Sequence, residues 1–206
     1  MAQLLKENPT SQLATRIGGM PNVPSGFEWP ICKACNGPMQ FLAQVGLAET
    51  DIENLAERQQ LLLLFQCQNE PGMCDEWDPD GGGNSAVLVP QGGTEAPTPP
   101  AGPTTLPSVS PVSATVYDDT NLSETPDDNY CSAFEADTSV LGKTGGAPLW
   151  IQGDETPTCP CGSRMTFVSQ IEERGGGGIN FGDAGAGYAF VCVDCESSAK
   201  FLWQCG

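Results

Sequence analysis

The stretch ICKACNGPMQFLAQV, residues 31–45, places two cysteines in front of an alternating apolar segment. A second stretch, TCPCGSRMTFVSQI at residues 158–171, repeats the same order: a cysteine pair, a glycine, a Met-x-Phe segment and a glutamine. The separation between matched residues stays nearly constant along the chain. An ordered series of matches of this kind predicts a tandem duplication.

The matches continue on both sides of these stretches. TRIGGMP at 15–21 aligns with GKTGGAP at 142–148, and LLLLFQC at 61–67 aligns with GYAFVC at 187–192. We therefore expect two pseudo-symmetric lobes within one integrated domain. The first repeat unit is residues 1–89, the second is residues 131–206, and residues 90–130 connect them.

The connecting segment is rich in proline, with seven prolines between Pro90 and Pro111. Such a segment cannot be helical, and we expect an extended chain. Its last part, PVSATVYDD at 111–119, alternates apolar and polar residues with the period of a strand. The pattern predicts a segment that crosses over and returns to the sheet.

Most of the remaining secondary structure is predicted to be β. Only AETDIENLAERQQ at 48–60 has the polar N-cap and apolar spacing of a helix. The corresponding run in the second unit, 172–187, is too rich in glycine for a helix and is predicted to be a loop. The fold class is therefore α+β, mainly β. The predicted strands are MQFLAQVGL (39–47), LLLLFQC (61–67), MTFVSQI (165–171), YAFVCVD (188–194) and KFLWQC (200–205).

Each predicted lobe has two pairs of cysteines, one before its first long strand and one after a later strand. This arrangement is typical of zinc ribbons, in which four thiolates converge on one tetrahedral ion. A site of four thiolates is coordinatively closed, so we expect two structural zinc ions rather than catalytic ones. The expected ligands are Cys32, Cys35, Cys67 and Cys74 in the first lobe and Cys159, Cys161, Cys192 and Cys195 in the second.

Two cysteines stand outside this scheme. Cys131 has no counterpart in the repeat and is expected to be a free thiol. Cys205, near the end of the sequence, could replace a ligand of the second site, where the spacing Cys159-x-Cys161 is one residue shorter than usual. In the alternative interpretation, all these cysteines are reduced core residues that pack as small apolar side chains.

The composition excludes several classes of function. The chain has no histidine, which removes the commonest general base and every histidine-ligated metal site. Its 26 acidic and 8 basic residues give a net charge of -18, which disfavours nucleic acid and anionic membranes. The N-terminal segment lacks the apolar core of a signal peptide, and no run is long enough to span a membrane. We therefore expect a cytoplasmic protein, in which cysteines bind metal more often than they form disulfides.

Four segments together resemble the YwqG-like proteins, a family with a domain of unknown function (DUF1963). They are RIGGMPNVPSGFEWP (16–30), PMQFLAQV (38–45), GGAPLWIQGDETP (145–157) and FGDAGAGYAFVC (181–192). The paired cysteines are also similar to the C-terminal region of programmed cell death protein 2. The first resemblance implies a duplicated α+β fold without an established enzymatic activity. The second implies a chaperone for a basic ribosomal protein, which would suit an acidic surface.

Two classes of function follow. The favoured one is a zinc-stabilised, non-enzymatic protein-interaction module of the chaperone, adaptor or immunity type, with no catalytic residue and a partner that is another protein, possibly basic. The alternative is a ligand-binding protein or an enzyme that uses carboxylates such as Asp75, Asp78 and Asp183 in a cleft between the lobes. Redox sensing through oxidation of zinc-bound thiolates is a third, weaker interpretation.

A few other residues carry specific expectations. Gln44 and Gln170 occupy matched positions in apolar strands, so their amides are expected to bind backbone across the pseudo-symmetry axis or to line the cleft between the lobes, and a structural role is favoured. The loop Asp75–Asn84 is predicted to be a solvated turn rather than a calcium site, because its carboxylates lack EF-hand spacing. The four tryptophans, Trp29, Trp77, Trp150 and Trp203, are expected to close the core around the metal sites.

Overall fold

The computed structural model of the protein describes residues 2–93, 97–117, 126–173, 178–195 and 197–206. These residues contain ten β-strands, one α-helix and one 3-10 turn at Leu47–Glu49. The helix α1 spans Pro126–Ala136. The strands are β1 (Gln3–Glu7), β2 (Arg16–Gly18), β3 (Gln40–Gly46), β4 (Gln60–Gln66), β5 (Asn84–Pro90), β6 (Val109–Val116), β7 (Val140–Thr144), β8 (Thr166–Glu172), β9 (Ala186–Val191) and β10 (Ala199–Gln204).

The described strands form one antiparallel sheet in the order β10-β9-β8-β7-β1-β6-β2-β3-β4-β5. Strand β1 precedes the first cysteine pair but pairs with β7 of the second half and with β6. Strand β6 pairs with β1 and with β2 of the first half. Strand β1, from the first half, thus lies beside β7 of the second half, and β6, from the connecting segment, lies beside β2 of the first half. The predicted return of the connecting segment to the sheet is confirmed. Residues 94–96 and 118–125 of that segment lie outside the described residues.

Strand β4 shows why an unbroken apolar run forms a strand here. Leu62 and Leu64 face a central core, whereas Leu61, Leu63 and Phe65 face a second cluster on the other side of the sheet. Both faces of the strand are buried, so the sequence lacks the polar residues of a half-exposed strand. The five strands predicted from the sequence are all present as β3, β4, β8, β9 and β10.

The sheet curls until its two end strands meet, since β10 lies against β5. Side chains bridge this seam: Lys200 Nζ lies 2.6 Å from Asp80 Oδ1, and Trp77 packs edge-on against Trp203. The central core inside the curled sheet combines residues of both halves, among them Leu42 and Val168. Apolar side chains of both halves therefore fill the centre of the described structure, where a cleft was expected, and a pocket lined by Glu76, Asn180 and Trp203 remains at the seam.

Three segments, two loops and one helix, cover different parts of the outer face of the sheet. The loop with the first cysteine pair covers β3 and β4, and the loop with the third pair covers β8 and β9. Helix α1 covers the middle, where Tyr130, Ala133 and Phe134 pack near Leu4 and Val140. Sequence reasoning missed this helix because it placed a boundary inside it, between residues 130 and 131, although the spacing of these residues suits one helix face.

The helix predicted at 48–60 is wrong. Only the turn at Leu47–Glu49 is helical, and Asn54 has a left-handed φ of 66°, which interrupts a helix. Glu49 explains the difference, because its carboxylate accepts hydrogen bonds from the backbone N–H groups of Ala14 and Thr15 at 2.6 and 2.9 Å. This tertiary contact replaces the helix that local preference favours.

The glycine-rich run 172–187 contains no helix among its described residues, and 174–177 lie outside them. Gly187 sits where a side chain does not fit. An added Cβ would lie 2.7 Å from ring carbons of both Phe181 and Phe201. Glycine inside a strand often marks such a close approach.

Candidate metal centres

The first candidate centre lies between the start of β3 and the end of β4. A tight turn presents Cys32 and Cys35: the Cys32 N–H donates to Gly37 O at 2.9 Å, and the Asn36 N–H donates to Cys32 O at 2.9 Å. Cys67 follows β4 directly, and its N–H donates to Gly83 O at 2.7 Å. The antiparallel pairing of β3 with β4 brings the two ends together, so sequence-distant cysteines meet.

The second candidate centre has the same construction on β8 and β9. The Cys159 N–H donates to Ser163 O at 2.8 Å in the turn before β8, and the Cys192 N–H donates to Ser198 O at 2.9 Å after β9. Gly162 adopts a left-handed φ of 94°, which the shortened turn requires. The spacing Cys159-x-Cys161 therefore does not prevent the four cysteines from converging.

The sulfur geometry fits a metal ion better than disulfides. Within each set of four, the Sγ atoms all lie within 4.8 Å of one another. Neighbouring Sγ atoms are separated by 3.6 Å for Cys35 and Cys67, 3.7 Å for Cys161 and Cys192, and 3.8 Å for Cys159 and Cys195. A tetrahedron with metal–sulfur bonds of about 2.3 Å has edges of about 3.8 Å. A disulfide needs about 2.05 Å, and no two of the ten cysteines form one.

The protonation of the thiols suits the uptake of a cation. Hydrogen bonds from the Ser163 side chain and backbone lower the pKa of Cys161 to about 6. Hydrogen bonding with Cys161 and the other thiols raises the pKa of Cys195 to about 12, and burial raises the pKa of Cys74. In the second set, Cys161 therefore loses its proton readily, whereas Cys195 keeps its proton at neutral pH. A metal ion would bind all four as thiolates and displace the remaining protons.

The two centres differ in exposure. In the first, Cys32, Cys67 and Cys74 are buried, and the cluster around them includes Phe65 and the half-buried Trp29. In the second, Cys161 is exposed. An ion in the second centre would therefore be more accessible to solvent.

Two polar residues that sequence reasoning missed hold the first centre. The carboxylate of Glu76, only 1% exposed, accepts hydrogen bonds from the N–H groups of Gly72 and Cys74. The amide of Asn69 donates to Pro38 O at 3.0 Å and lies 3.3 Å from the Sγ of Cys67. Such outer contacts orient the ligands of a metal and tune their basicity. A carboxylate two residues after Cys74 was the only available sequence signal.

Cys131 and Cys205 belong to neither set. Cys131 lies on α1. Cys205 follows β10 at the end that pairs with Ala186, whereas Cys192 adjoins the other end of that ladder. Six residues of extended strand separate the two ends, which corresponds to about 20 Å. Cys205 is therefore too far from the second set to replace one of its ligands.

Only two of the four tryptophans lie at the centres. Trp29 packs edge-on against Phe65 in the first cluster, and Trp150 stacks on Phe190 in the second. Trp77 and Trp203 instead close the seam between β5 and β10. The expectation for these last two was wrong.

The matched glutamines serve the backbone of their own half. Gln44 donates to Ala14 O at 2.7 Å and accepts from the Asn22 N–H at 2.9 Å. Gln170 accepts from the Leu149 N–H at 2.9 Å and donates to Glu172 at 2.7 Å. The structural role is confirmed, but the expected contacts across the pseudo-symmetry axis are wrong, because both amides find their partners within their own half.

The acidic loop at 75–84 is a turn held by its own polar groups. Asn84 donates to the carbonyls of Glu76 and Asp78, and the Asp80 N–H donates to Asp78 Oδ1 at 2.8 Å. Asp75, Asp78 and Asp183 are all exposed. The loop is a turn as predicted, but it is solvated only in part, because Glu76 and Asn84 are buried.

The fold and the paired centres define a mainly β protein with two sets of four cysteines that could hold metal ions. The family described as "Domain of unknown function (DUF1963)" matches residues 15–201, so the chain belongs to this family.

The chain is also similar to the protein named "Uncharacterized protein YpfL" of Salmonella typhimurium. The two are 30% identical over 67 residues, which is 32% of this chain and 16% of that relative. The match thus covers a minor part of both proteins and indicates no function for this chain. Among the described residues, no helix is long and apolar enough to cross a membrane.

Proposed function

We propose that the protein is a zinc-stabilised, non-enzymatic protein-interaction module of the cytoplasm. The observation that carries the metal part is the convergence of four thiols within 4.8 Å at two places. Four sulfur ligands, with no histidine in the chain, suit zinc better than hard cations. Such a donor set leaves no open position for substrate, which supports a structural role.

The proposed partner is another protein with a basic surface. A net charge of -18 repels nucleic acid and anionic lipid but steers basic proteins toward the chain. The likeness to the chaperone-like programmed cell death protein 2 remains a prediction, and it agrees with this choice. A chaperone, adaptor or immunity role would each use such a surface.

We also infer that the chain arose by tandem duplication. The supporting contacts recur in both halves at matched residues. The side chain of Arg16 bonds Met20 O in the first half, and that of Lys143 bonds Ala147 O in the second. The β3–β4 ladder shifts register after Phe41, and the β8–β9 ladder shifts after the matched Phe167.

The metal part is tested by native mass spectrometry of freshly purified protein with elemental analysis of the same sample. We expect two zinc ions per chain. A chain that carries no metal although its ten thiols are reduced would contradict the proposal, because the cysteines would then be core residues only.

The partner part is tested by cross-linking in cells of the source organism, with the wild type and a variant in which clustered surface carboxylates are neutralised. We expect a basic protein that the wild type captures and the variant does not. Binding that ignores both the substitutions and added salt would contradict an electrostatic interface.

The alternative, a carboxylate-dependent enzyme or ligand-binding protein, draws no support from the geometry. The three carboxylates considered for it are exposed, and an apolar core fills the space between the halves. Functional carboxylates usually sit in a concave site that perturbs their pKa.

A further inference from the structure

Arg58 reaches from the first half of the chain to the second candidate metal centre. It lies in the turn before β4, in the segment where a helix was expected. Its Nη2 donates to Val193 O at 2.8 Å, and its Nη1 lies 3.4 Å from Cys192 O and 3.3 Å from Cys195 O. One guanidinium thus contacts three carbonyls of the short loop that carries two of the four thiols.

These carbonyls have few other ways to be satisfied. Strand β9 ends at Val191, so the ladder with β10 does not reach the loop at 192–195. The guanidinium is suited to this task because its five N–H donors form a rigid planar fork. A lysine would offer one point charge and could not reach three acceptors in the same way.

The charge of Arg58 also favours a metal-loaded centre. Four thiolates around a divalent cation leave a net negative charge, and the chain has only 8 basic residues against 26 acidic ones. Among the described residues, the cationic contact to the first centre from the other half is more remote, since Lys200 binds the carboxylate of Asp80 six residues after Cys74 rather than carbonyls beside the cysteines. The loop of the first centre is held from within by Glu76, which binds the N–H groups of Gly72 and Cys74. The two centres are therefore supported differently.

We propose that Arg58 is a positioning residue of the second metal centre, which it holds from the opposite half of the sheet. The inference rests on the proposed metal function. Because coupling between sites is reciprocal, an ion in the second centre also stabilises the turn that contains Arg58 and the seam between the sheet ends. Loss of that ion would loosen this turn as well as its own loop.

The experiment is a chelator challenge of the full-length, metal-loaded protein, followed by timed alkylation of thiols with iodoacetamide. Mass spectrometry of the peptides reports the two centres separately, so the first centre serves as an internal control. Substitution of a residue that supports metal ligands typically weakens metal binding by about 10- to 100-fold. We expect R58A to speed labelling of the second centre by about that factor and to leave the first centre unchanged. R58K should lie between R58A and the wild type.

The matched control is K200A. Lys200 bridges the same seam through Asp80, at 2.6 Å, and in the described part of the chain its ammonium group makes no hydrogen bond to the loop at 192–195. We expect this variant to label the second centre like the wild type.

Three outcomes would overturn the role of Arg58. R58A could label the second centre at the wild-type rate, or K200A could speed that labelling as much as R58A does, which would make the effect a general loosening of the seam. R58A could also speed both centres by the same factor, which would make Arg58 a support of the whole fold. Wild-type protein that carries no metal would contradict the proposed function. Wild-type protein with two bound ions, together with an R58A variant whose labelling rates equal those of the wild type, would contradict only the role of Arg58.

Discussion

Replacing Cys67 by serine tests how much the first centre contributes to stability. Cys67 is fully buried, and its Sγ lies 3.6 Å from that of Cys35. A buried hydroxyl without a good partner costs about 1–3 kcal/mol. A hundredfold loss of metal affinity removes about a further 2.7 kcal/mol of stabilisation by ligand binding. The total, about 4–6 kcal/mol, lowers the Tm of a chain of this size by about 8–24 °C.

The assay is thermal unfolding followed by circular dichroism, with and without a zinc chelator. The matched control is C205S, because Cys205 lies outside both sets of four and its substitution should change the free energy of unfolding by less than about 0.5 kcal/mol. The chelator should lower the Tm of the wild type and of C205S much more than that of C67S. A C67S variant that melts with the wild type, and responds equally to chelator, would refute the reasoning.

Three further predictions concern other parts of the molecule. Gly187→Ala should lower the free energy of unfolding in urea by about 1–3 kcal/mol, because the new Cβ would meet the rings of Phe181 and Phe201; equal stability would contradict this packing. Under chelator, the wild type should lose metal from the second centre first, because Cys161 is exposed; the reverse order of thiol labelling would contradict the prediction. Metal-bound thiolates must stay deprotonated, so metal-dependent stability should be present at neutral pH and fall as acid protonates them; a Tm that keeps its chelator sensitivity in acid would contradict it.

The sequence predicted the strands and the cysteine sets because both depend on strong local patterns. The run Leu61–Phe65 is apolar on both faces, and cysteines at matched positions before and after two strands need only an antiparallel hairpin to converge. These features follow from the period of a strand and the preferred geometry of four thiolates.

The errors arose where long-range contacts decide the structure. The segment 48–60 has helical spacing, yet the carboxylate of Glu49 binds backbone N–H groups more than thirty residues away. The expected cleft is filled because the sheet curls and merges the apolar faces of both halves into one core. Neither effect leaves a periodic signal in the sequence.

Supporting residues of the centres were hidden for the same reason. Arg58 contacts a loop whose sequence is more than 130 residues away, and only the seam between β5 and β10 brings them together. Glu76 lies close to Cys74 in sequence, but an isolated glutamate in an acidic loop gives no indication of burial. The spacing of the cysteines in the sequence predicts the metal ligands, whereas the residues that hold those ligands in place are determined by contacts that form only when the sheet closes.

X-ray absorption spectroscopy at the zinc edge, on freshly purified protein of known metal content, tests the central claim most directly. The account predicts two zinc ions per chain, each surrounded by four sulfur atoms at about 2.3 Å with no nitrogen or oxygen ligand. A first shell dominated by oxygen or nitrogen, or a chain without metal, would contradict the claim that the eight matched cysteines form two metal centres.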